Sequence, residues 1–303
     1  MRVLIAGGTG LVGNALGRLL LTKGASVVTL TRTSPPTKSI DGVKYLTWGG
    51  HEQDWMEELN EVDAVVNLAG ENLGSGRWTA GKKHKILQSR LVAGANLVEA
   101  VQRAIRKPLL FVQSSGIGYY GTDLVESFDE SSPNGKDYLA GIAQIWEDST
   151  LPVEGMGVIR SIIRSGIVLD RWDGALARML LTYKLFVGGP VGSGRQWMSW
   201  IHLADEVGAI FHILSNRLGG VFNLTAPHPV RNREMGMTIA ETLSRPYWMP
   251  IPGFSLKAII GEMSTLVLDG QKVLPNRLLE TGYEFLYPQL SSALKNVLGA
   301  DNG

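Results

Sequence analysis

The chain has 303 residues, so it can bury a large core without disulfide support. Its 29 basic and 28 acidic side chains give a formal net charge of +1, which provides no overall attraction for nucleic acid or an acidic membrane surface. Cysteine is absent, which excludes disulfides, cysteine-ligated zinc, iron–sulfur clusters and thiol nucleophiles. The five histidines are scattered, and no metal site is predicted.

No segment is predicted to cross a membrane. The longest stretches without an acidic or basic residue, 3–17 and 108–122, contain several glycines and are shorter than the roughly 20 apolar residues of a membrane span. The apolar run after Arg2 is interrupted by glycines, which argues against a signal peptide. We therefore expect a soluble protein of the cytoplasm, or of an organelle matrix or stroma.

The first 70 residues alternate short apolar runs with a helix-length segment. Strands are predicted at Val3–Ala6, Val27–Thr31, Val43–Thr47 and Ala64–Leu68, and a helix at Leu11–Lys23. Valine, isoleucine and leucine runs without polar alternation are typical of parallel strands that helices cover on both faces. The pattern predicts an α/β fold, a Rossmann-like doubly wound parallel sheet.

The rest of the chain continues this alternation and then loses it. The predicted elements are a helix at Ala80–Lys107, a strand at Leu109–Val112, a helix at Asp137–Thr150, a strand at Val158–Ile163, helices at Ala175–Lys184, Ala204–Asn216 and Arg231–Leu243, and short apolar pieces at Val221–Leu224 and Met249–Ile251. We predict a Rossmann-like domain over 1–170 and about 199–225. A smaller, mostly C-terminal substrate lobe is predicted over 171–198 and 226–303.

The glycine-rich segment Gly7–Gly13 carries the strongest motif. It reads Gly-Gly-Thr-Gly-Leu-Val-Gly and satisfies both Gly-x-Gly-x-x-Gly and Gly-x-x-Gly-x-x-Gly. Glycine is required because the chain turns sharply out of a strand, its backbone approaches a pyrophosphate and the helix packs closely on the sheet. The phosphates would lie at the positive end of the helix. No Gly-Lys-Ser/Thr follows, which argues against ATP hydrolysis.

Thr31 and Arg32 lie about 20 residues beyond the glycines, where folds that select NAD place an acidic residue. A guanidinium at this point matches a 2′-phosphate in charge and geometry. We therefore predict NADP(H) as the cofactor. The alternative is a solvent-exposed arginine at the end of a strand.

Three motifs together, Gly7–Gly13, Val66–Asn72 and Ser114–Gly121, resemble an extended short-chain dehydrogenase/reductase of the NAD(P)-dependent epimerase/dehydratase type. Further segments are similar to its atypical epimerase-family branch: 74–79, 89–90, 129–135, 137–140, 188–197, 200–202 and 270–275. That branch has bacterial, animal and plastid members, some labelled cell-division-inhibitor-like. The likeness runs from residue 1 to about 298 and implies a Rossmann-like fold with a nicotinamide cofactor.

The resemblance also implies cofactor-binding residues. Gly7, Thr9, Gly10, Leu11 and Val12 would contact the pyrophosphate, Thr31 and Arg32 the adenosine phosphate, and Leu68, Ala69 and Gly70 the neighbouring ribose, with Arg90 and Val168 as further contacts. Arg90 lies on the long predicted helix, where the alternative is a solvent-exposed arginine.

The same resemblance implies Ser115 and Tyr138 as catalytic residues, but Ile142 stands four residues after Tyr138, where a lysine is expected. That lysine matters because a tyrosine with a pKa near ~10 must lose its proton near pH 7, and a fixed cation lowers the cost. Lys136 would point to another side of the helix. Tyr119 and Tyr120 are further candidates beside the nicotinamide; the alternative is that all three tyrosines are half-buried structural aromatics.

The glycine-rich segment 188–200 carries Arg195 and Trp197, which we predict to contact a small polar substrate. The alternative is a structural loop that packs its tryptophans between the lobes. His202 and Asp205 are interpreted as a helix cap or structural hydrogen-bond pair.

Two functions follow from these predictions. The first is an NADP(H)-dependent oxidoreductase or epimerase-like enzyme acting on a small carbonyl or sugar-derived substrate. The second is a nucleotide-binding regulatory protein with a protein partner, in line with Ile142 and with a link to cell or organelle division. The sequence is compatible with a homodimer through the helices at 80–107 and 137–150.

Overall fold

The structure, a computed structural model, describes residues 1–32, 39–48 and 53–299. The strands in chain order are β1 (Arg2–Ala6), β2 (Ser26–Thr31), β3 (Val43–Thr47), β4 (Ala64–Asn67), β5 (Leu110–Gly116), β6 (Ser127–Phe128), β7 (Ile159–Ser165), β8 (Ile167–Leu169), β9 (Trp197–Met198), β10 (Trp200–His202), β11 (Gly220–Leu224), β12 (Val230–Arg231) and β13 (Lys272–Val273).

The α-helices in chain order are α1 (Leu11–Thr22), α2 (Gln53–Glu57), α3 (Ala80–Arg103), α4 (Tyr138–Asp148), α5 (Gly174–Lys184), α6 (Leu203–Asn216), α7 (Asn232–Leu243), α8 (Gly253–Ile260), α9 (Thr265–Leu268), α10 (Asn276–Glu280) and α11 (Leu290–Leu298). Short 3-10 helices lie at Glu58–Asn60, Ile117–Tyr120, Leu151–Met156 and Gly261–Ser264.

The central sheet has seven parallel strands in the order β11-β7-β5-β4-β1-β2-β3. The strand order reverses at β1, because β2 and β3 lie on one side of it and the later strands on the other. In doubly wound sheets such a reversal opens a crevice at the carboxyl ends of the strands, where ligands bind. This topology confirms the predicted Rossmann-like fold.

Both faces of the sheet are buried, as its continuous apolar strands require. Ile5 of β1 belongs to a core with Leu16 of α1 and Ile210 of α6. Its neighbour Leu4 belongs to a second core with Leu97 of α3. Successive side chains of a strand point to opposite faces, so helices cover the sheet on both sides.

A third core lies among α5, α7, α11 and β10. It contains Leu176, Trp200, Met235 and Leu294. The lobe boundaries stay a prediction.

Hydrogen bonds from α6 hold the C-terminal segment in place. The carboxylate of Asp205 accepts bonds from the N–H groups of Leu286 and Tyr287 at 2.7 and 2.9 Å. The Nδ1 atom of His202 accepts a bond from the N–H of Ala204 at 3.0 Å and caps α6. The interpretation of His202 and Asp205 as cap and structural hydrogen-bond group is confirmed.

The long helix α3 is shorter than predicted. It ends at Arg103 rather than at residue 107, because the backbone of Ala104 leaves the helical conformation, with ψ 134°. The ammonium of Lys107 folds back onto the carbonyl groups of Gln102 and Ala104 at 2.8 and 2.6 Å. These bonds satisfy carbonyls that the helix leaves without partners at its end. Within the described residues, no helix is long and apolar enough to cross a membrane.

Two other predicted elements have different bounds. The strand predicted at 109–112 continues to Gly116, because β5 pairs with β7 up to the Gly116–Ser165 position. The apolar piece at 249–251 forms only an isolated bridge between Ile251 and Val191. The helices α2 and α8 to α11 were not predicted. Glycine and proline at 250–253 obscure the start of α8, whereas α11 contains neither residue and was simply missed.

Candidate functional site

The glycine turn after β1 has a backbone that only glycine accommodates. Gly7 has φ +81°, and a Cβ atom on it would lie 2.9 Å from the backbone N of Ala69. A Cβ atom on Gly13 would lie 2.5 Å from the Cα of Gly8. In the described structure no side chain caps the first turn of α1, since its N-cap is Gly10. The turn therefore presents the positive end of a helix at the switch point of the sheet.

The end of β2 places a guanidinium near this turn. The side chain of Arg32 is 86% exposed, and its Nη1 atom lies 3.9 Å from Glu71. Glu71 binds Lys82 more closely, at 2.6 Å, and this hydrogen bond lowers the pKa of its carboxyl. The hydroxyl of Thr31 donates to the carbonyl of Leu46 at 3.3 Å. The side chain of Arg32 thus faces solvent. Among the described residues, Glu71 is the one carboxylate that it contacts, at a long distance.

The loop after β4 lies against both the glycine turn and α3. Ala69 is a backbone neighbour of Gly7, and a Cβ atom on Gly70 would lie 3.2 Å from the Cζ of Arg90. The guanidinium of Arg90 is buried and donates to the carbonyl of Glu71 at 3.1 Å. Burial lowers the pKa of Arg90 to about 10, and its Nε has no partner among the described residues. The predicted contacts Leu68, Ala69, Gly70 and Arg90 are therefore brought together.

Val168 comes to the same edge from β8. A Cβ atom on Gly174 would lie 3.7 Å from the carbonyl oxygen of Val168 and 4.0 Å from Leu11, the first residue of α1. The fold thus places Val168 near the start of the helix that the glycine turn opens.

Ser115 belongs to a buried polar network. Its hydroxyl donates to Glu147 at 2.7 Å, and Glu147 binds Arg164 through both carboxylate oxygens at 2.9 Å. Arg164 also donates to the hydroxyl of Tyr120 at 2.9 Å, and Tyr120 donates to Asn223 at 2.7 Å. The network ties β5, α4, β7 and β11 together.

The hydroxyl of Ser115 bonds Glu147, which lies nine residues after Tyr138, a rise of about 13 Å along α4. Tyr120 is occupied by the same network, and burial raises the pKa of its hydroxyl to about 12. The catalytic assignment of Ser115 and Tyr138 stays a prediction.

Glu206, in the first turn of α6, is a second buried carboxyl group at this edge. One oxygen accepts a bond from Ser165 at 2.5 Å, and the other has no partner in the part of the chain that the structure describes. Burial raises the pKa of Glu206 to about 8, against the opposing effect of the Ser165 bond.

This shift predicts a pH-dependent stability. The unfolded carboxyl ionises near 4.5 and the folded one near 8, so the free energy of unfolding should fall with rising pH between these values. The decline attributable to this group is at most about 1.4 kcal/mol per pH unit. Glu206→Gln should flatten the profile in urea unfolding at pH 5, 6.5 and 8, whereas the exposed control Glu234→Gln should not. Parallel profiles for wild type and Glu206→Gln would contradict the shift.

Tyr138, the first residue of α4, lies in an apolar cluster. Its ring packs against Trp78 with centroids 5.4 Å apart, and Met263 and Leu266 belong to the same cluster. The hydroxyl is buried and has no hydrogen-bond partner within residues 1–32, 39–48 and 53–299. Burial raises the pKa of Tyr138, while nearby Lys83 and Arg90 lower it. A buried polar atom without a partner is expected where a ligand supplies one.

Ile142 is buried in the same cluster, beside Trp78 and Ile86, so α4 presents no cation one turn after Tyr138. The cation near the ring comes from α3, where the Nζ atom of Lys83 lies 4.6 Å from the centroid. The sequence does not single out Lys83, because it stands in the run 82–85 and looks like part of a solvent-exposed face. Nor does the sequence mark Glu262, the ion-pair partner of Lys83.

Arg195 and Trp197 lie in a cationic patch beside β9 and β12. The guanidinium of Arg231 lies 3.6 Å from the ring centroid of Trp197, and the ammonium of Lys272 lies 5.3 Å from it. Arg231 also donates to the carbonyl of Arg195 at 2.5 Å. Arg195 is exposed, and the indole N–H of Trp197 donates to Leu124 at 3.1 Å.

The patch is linked to the segment that covers Tyr138. Gln196, between the two predicted substrate residues, donates to the carbonyl of Val267 at 2.9 Å. Val267 follows Leu266, a member of the Tyr138 cluster. The ring of Trp197 is held by the bond from its N–H to the carbonyl of Leu124, while the guanidinium of Arg195 faces solvent.

A parallel sheet with a glycine turn at its switch point defines the class of nucleotide-binding α/β proteins. Residues 3–139 match the NAD dependent epimerase/dehydratase family, and residues 251–297 match a domain of unknown function, DUF1731. The second match covers the segment that packs on Tyr138.

Relatives match along nearly the whole chain. The chloroplastic SDR39U1 homologue of Arabidopsis thaliana is 40% identical over 307 residues, which cover 98% of this chain and 87% of that protein. YfhF of Bacillus subtilis is 37% identical over 300 residues, 98% of each. The crystal structure of human SDR39U1 (isoform 2) with NADPH has a TM-score of 0.88 and 36% identity, and the match covers 99% of both chains. The chain belongs to the NAD-dependent epimerase/dehydratase family of extended short-chain dehydrogenases/reductases.

Proposed function

We propose that this protein binds NADP(H) and uses it for a redox reaction of a small polar substrate, as an oxidoreductase or epimerase-like enzyme. The observation that carries the proposal is the exposed guanidinium of Arg32 beside the glycine turn. An arginine at the end of β2 suits a 2′-phosphate, which NADP(H) has and NAD(H) lacks. The similarity to a human protein crystallised with NADPH supports the same cofactor.

The described residues fit this cofactor at one edge of the sheet. The residues proposed to hold it are Gly7, Thr9, Gly10, Leu11 and Val12 at the pyrophosphate, Thr31 and Arg32 at the adenosine phosphate, Leu68, Ala69 and Gly70 at the ribose, and Arg90 and Val168 as further contacts. The uncapped start of α1 and the partly unpartnered guanidinium of Arg90 are the polar groups that such a ligand would satisfy. When bound, the nicotinamide exchanges hydride with the substrate.

Tyr138 is the residue we assign to proton transfer. Its hydroxyl is buried, lacks a partner among the described residues and is surrounded by apolar side chains that exclude water. Ser115 is bound to Glu147, so we assign it a supporting role that holds α4 against β5. Arg195 and Trp197 are proposed to contact the polar part of the substrate, since charge and aromatic surface meet there.

A titration with NADPH and NADH, followed by nicotinamide fluorescence, tests the cofactor. We expect Arg32→Ala to weaken NADPH binding by about tenfold or more, because a charge-assisted bond to phosphate contributes roughly 1.5–3 kcal/mol. NADH binding should be weak and unchanged. Arg103→Ala is the control, since Arg103 is an exposed arginine paired with Glu99 on the last turn of α3. Equal affinities of wild type for NADPH and NADH would refute the NADP(H) assignment.

A second candidate function is favoured by Ile142. Without a lysine on α4, the protein would bind the nucleotide and signal its presence to a protein partner. Turnover of NADPH with a panel of carbonyl substrates, lost in Tyr138→Phe, would support the enzyme. Absence of turnover across the panel, together with cofactor-dependent capture of a partner, would support the regulatory function. Light scattering at several protein concentrations, with and without NADPH, tests whether the chain forms a homodimer.

A further inference from the structure

Two oppositely charged side chains meet at the ring of Tyr138. The ammonium of Lys83, on the first turn of α3, lies 4.6 Å from the ring centroid. The same ammonium forms an ion pair with Glu262, which lies in the 3-10 helix Gly261–Ser264. The next residue of that helix, Met263, packs in the Tyr138 cluster. One short segment thus contacts both the tyrosine and the lysine beside its ring.

We propose that Lys83 is a positioning residue for Tyr138, which supplies from α3 the positive charge that Ile142 cannot supply from α4. The inference rests on the proposed function, because it gives the proton-transfer group its cation. The inference uses only contacts among residues of this chain, namely those of Lys83 with Tyr138 and with Glu262.

The charges around Tyr138 act in opposite directions. Lys83 and Arg90, both on α3, favour the ionised phenol, whereas Glu262 opposes it, as does burial. Lys83 is partly buried, with a side-chain exposure of 29%, so solvent screens its charge less than that of a fully exposed lysine.

The test measures the ionisation of Tyr138 directly. The protein is labelled with 3-fluorotyrosine, whose fluorine lowers the phenol pKa toward the range in which the protein stays folded, and the resonance lost in Tyr138→Phe is followed by ¹⁹F NMR against pH. We expect Lys83→Gln to raise the pKa of Tyr138 by about one unit, roughly the spread that protein environments produce. Lys83→Arg should leave it close to wild type. Lys136→Gln is the matched control, since Lys136 is exposed and two residues before Tyr138.

Glu262→Gln provides an independent variant with the opposite sign. Removing this carboxylate should lower the pKa of Tyr138, because Glu262 disfavours the phenolate. An unchanged pKa in Lys83→Gln, or a rise of equal size in Lys83→Arg, would overturn the proposal. So would a rise in Glu262→Gln, which would indicate a general loosening of the cluster.

NADPH titration of the same variants separates this proposal from the proposed function. Lys83→Gln should bind NADPH within about twofold of wild type, because Arg32 and the glycine turn are untouched. If wild type fails to bind NADPH while the shifts of Tyr138 appear as expected, the cofactor assignment fails and the role of Lys83 stands. If binding is intact and the shifts are absent, only the role of Lys83 fails.

Discussion

Glu147→Gln is expected to lower the free energy of unfolding by about 3–5 kcal/mol, the range for removing one partner of a buried ion pair. Both carboxylate oxygens of Glu147 bind Arg164, and both side chains are at most 5% exposed. Burial opposes the charge of Arg164, but the bonds to Glu147 outweigh it and raise the pKa of the guanidinium. The variant would leave that cation buried without its counter-charge. Urea unfolding at neutral pH measures the loss.

Glu99→Gln is the matched control, because Glu99 and its partner Arg103 are both exposed on α3, where a salt bridge contributes about 0–1 kcal/mol. A double-mutant cycle with Arg164→Met gives the coupling directly. The double variant should be more stable than Glu147→Gln alone, since no unpaired charge remains. A loss below about 1 kcal/mol in Glu147→Gln would contradict the view that this pair holds α4 on the sheet.

The bond between Ser115 and Glu147 could not be predicted from the sequence. The position of Ser115 near the end of a strand, just before Tyr119 and Tyr120, is visible in the sequence. Its orientation is not, because successive strand residues point to opposite faces and the partner, Glu147, stands 32 residues away. Nothing local marks Glu147 as buried or as the partner of Arg164.

The glycine turn is easier to predict from the sequence than the surroundings of Tyr138, for a physical reason. The glycine turn is a local backbone requirement, with Gly7 and Gly13 six residues apart, so its pattern is written in one short segment. The surroundings of Tyr138 come from three distant segments, and the nearest cation, Lys83, is 55 residues away. A run of lysines on a predicted helix gives no sign of which one turns inward.

Gly13→Ala should weaken NADPH binding by about 100-fold, since losing two charge-assisted backbone contacts to phosphate costs roughly 3 kcal/mol. The new Cβ atom would lie 2.5 Å from the Cα of Gly8 and 2.6 Å from the carbonyl oxygen of Gly7. Both obstructing atoms are backbone, so no side chain can move to make room and the turn itself must shift. The fluorescence titration used for Arg32→Ala measures the change.

Gly141→Ala separates this effect from the ordinary consequences of placing alanine in a helix. Gly141 lies inside α4, and a Cβ atom there would meet no other atom within 4 Å. This variant should gain about 0.5–1 kcal/mol of stability from helix propensity and bind NADPH as wild type does. If Gly13→Ala loses stability but keeps its NADPH affinity, the close packing of the turn serves the fold alone. If it stays folded and loses binding, the position of these backbone N–H groups is what holds the phosphates.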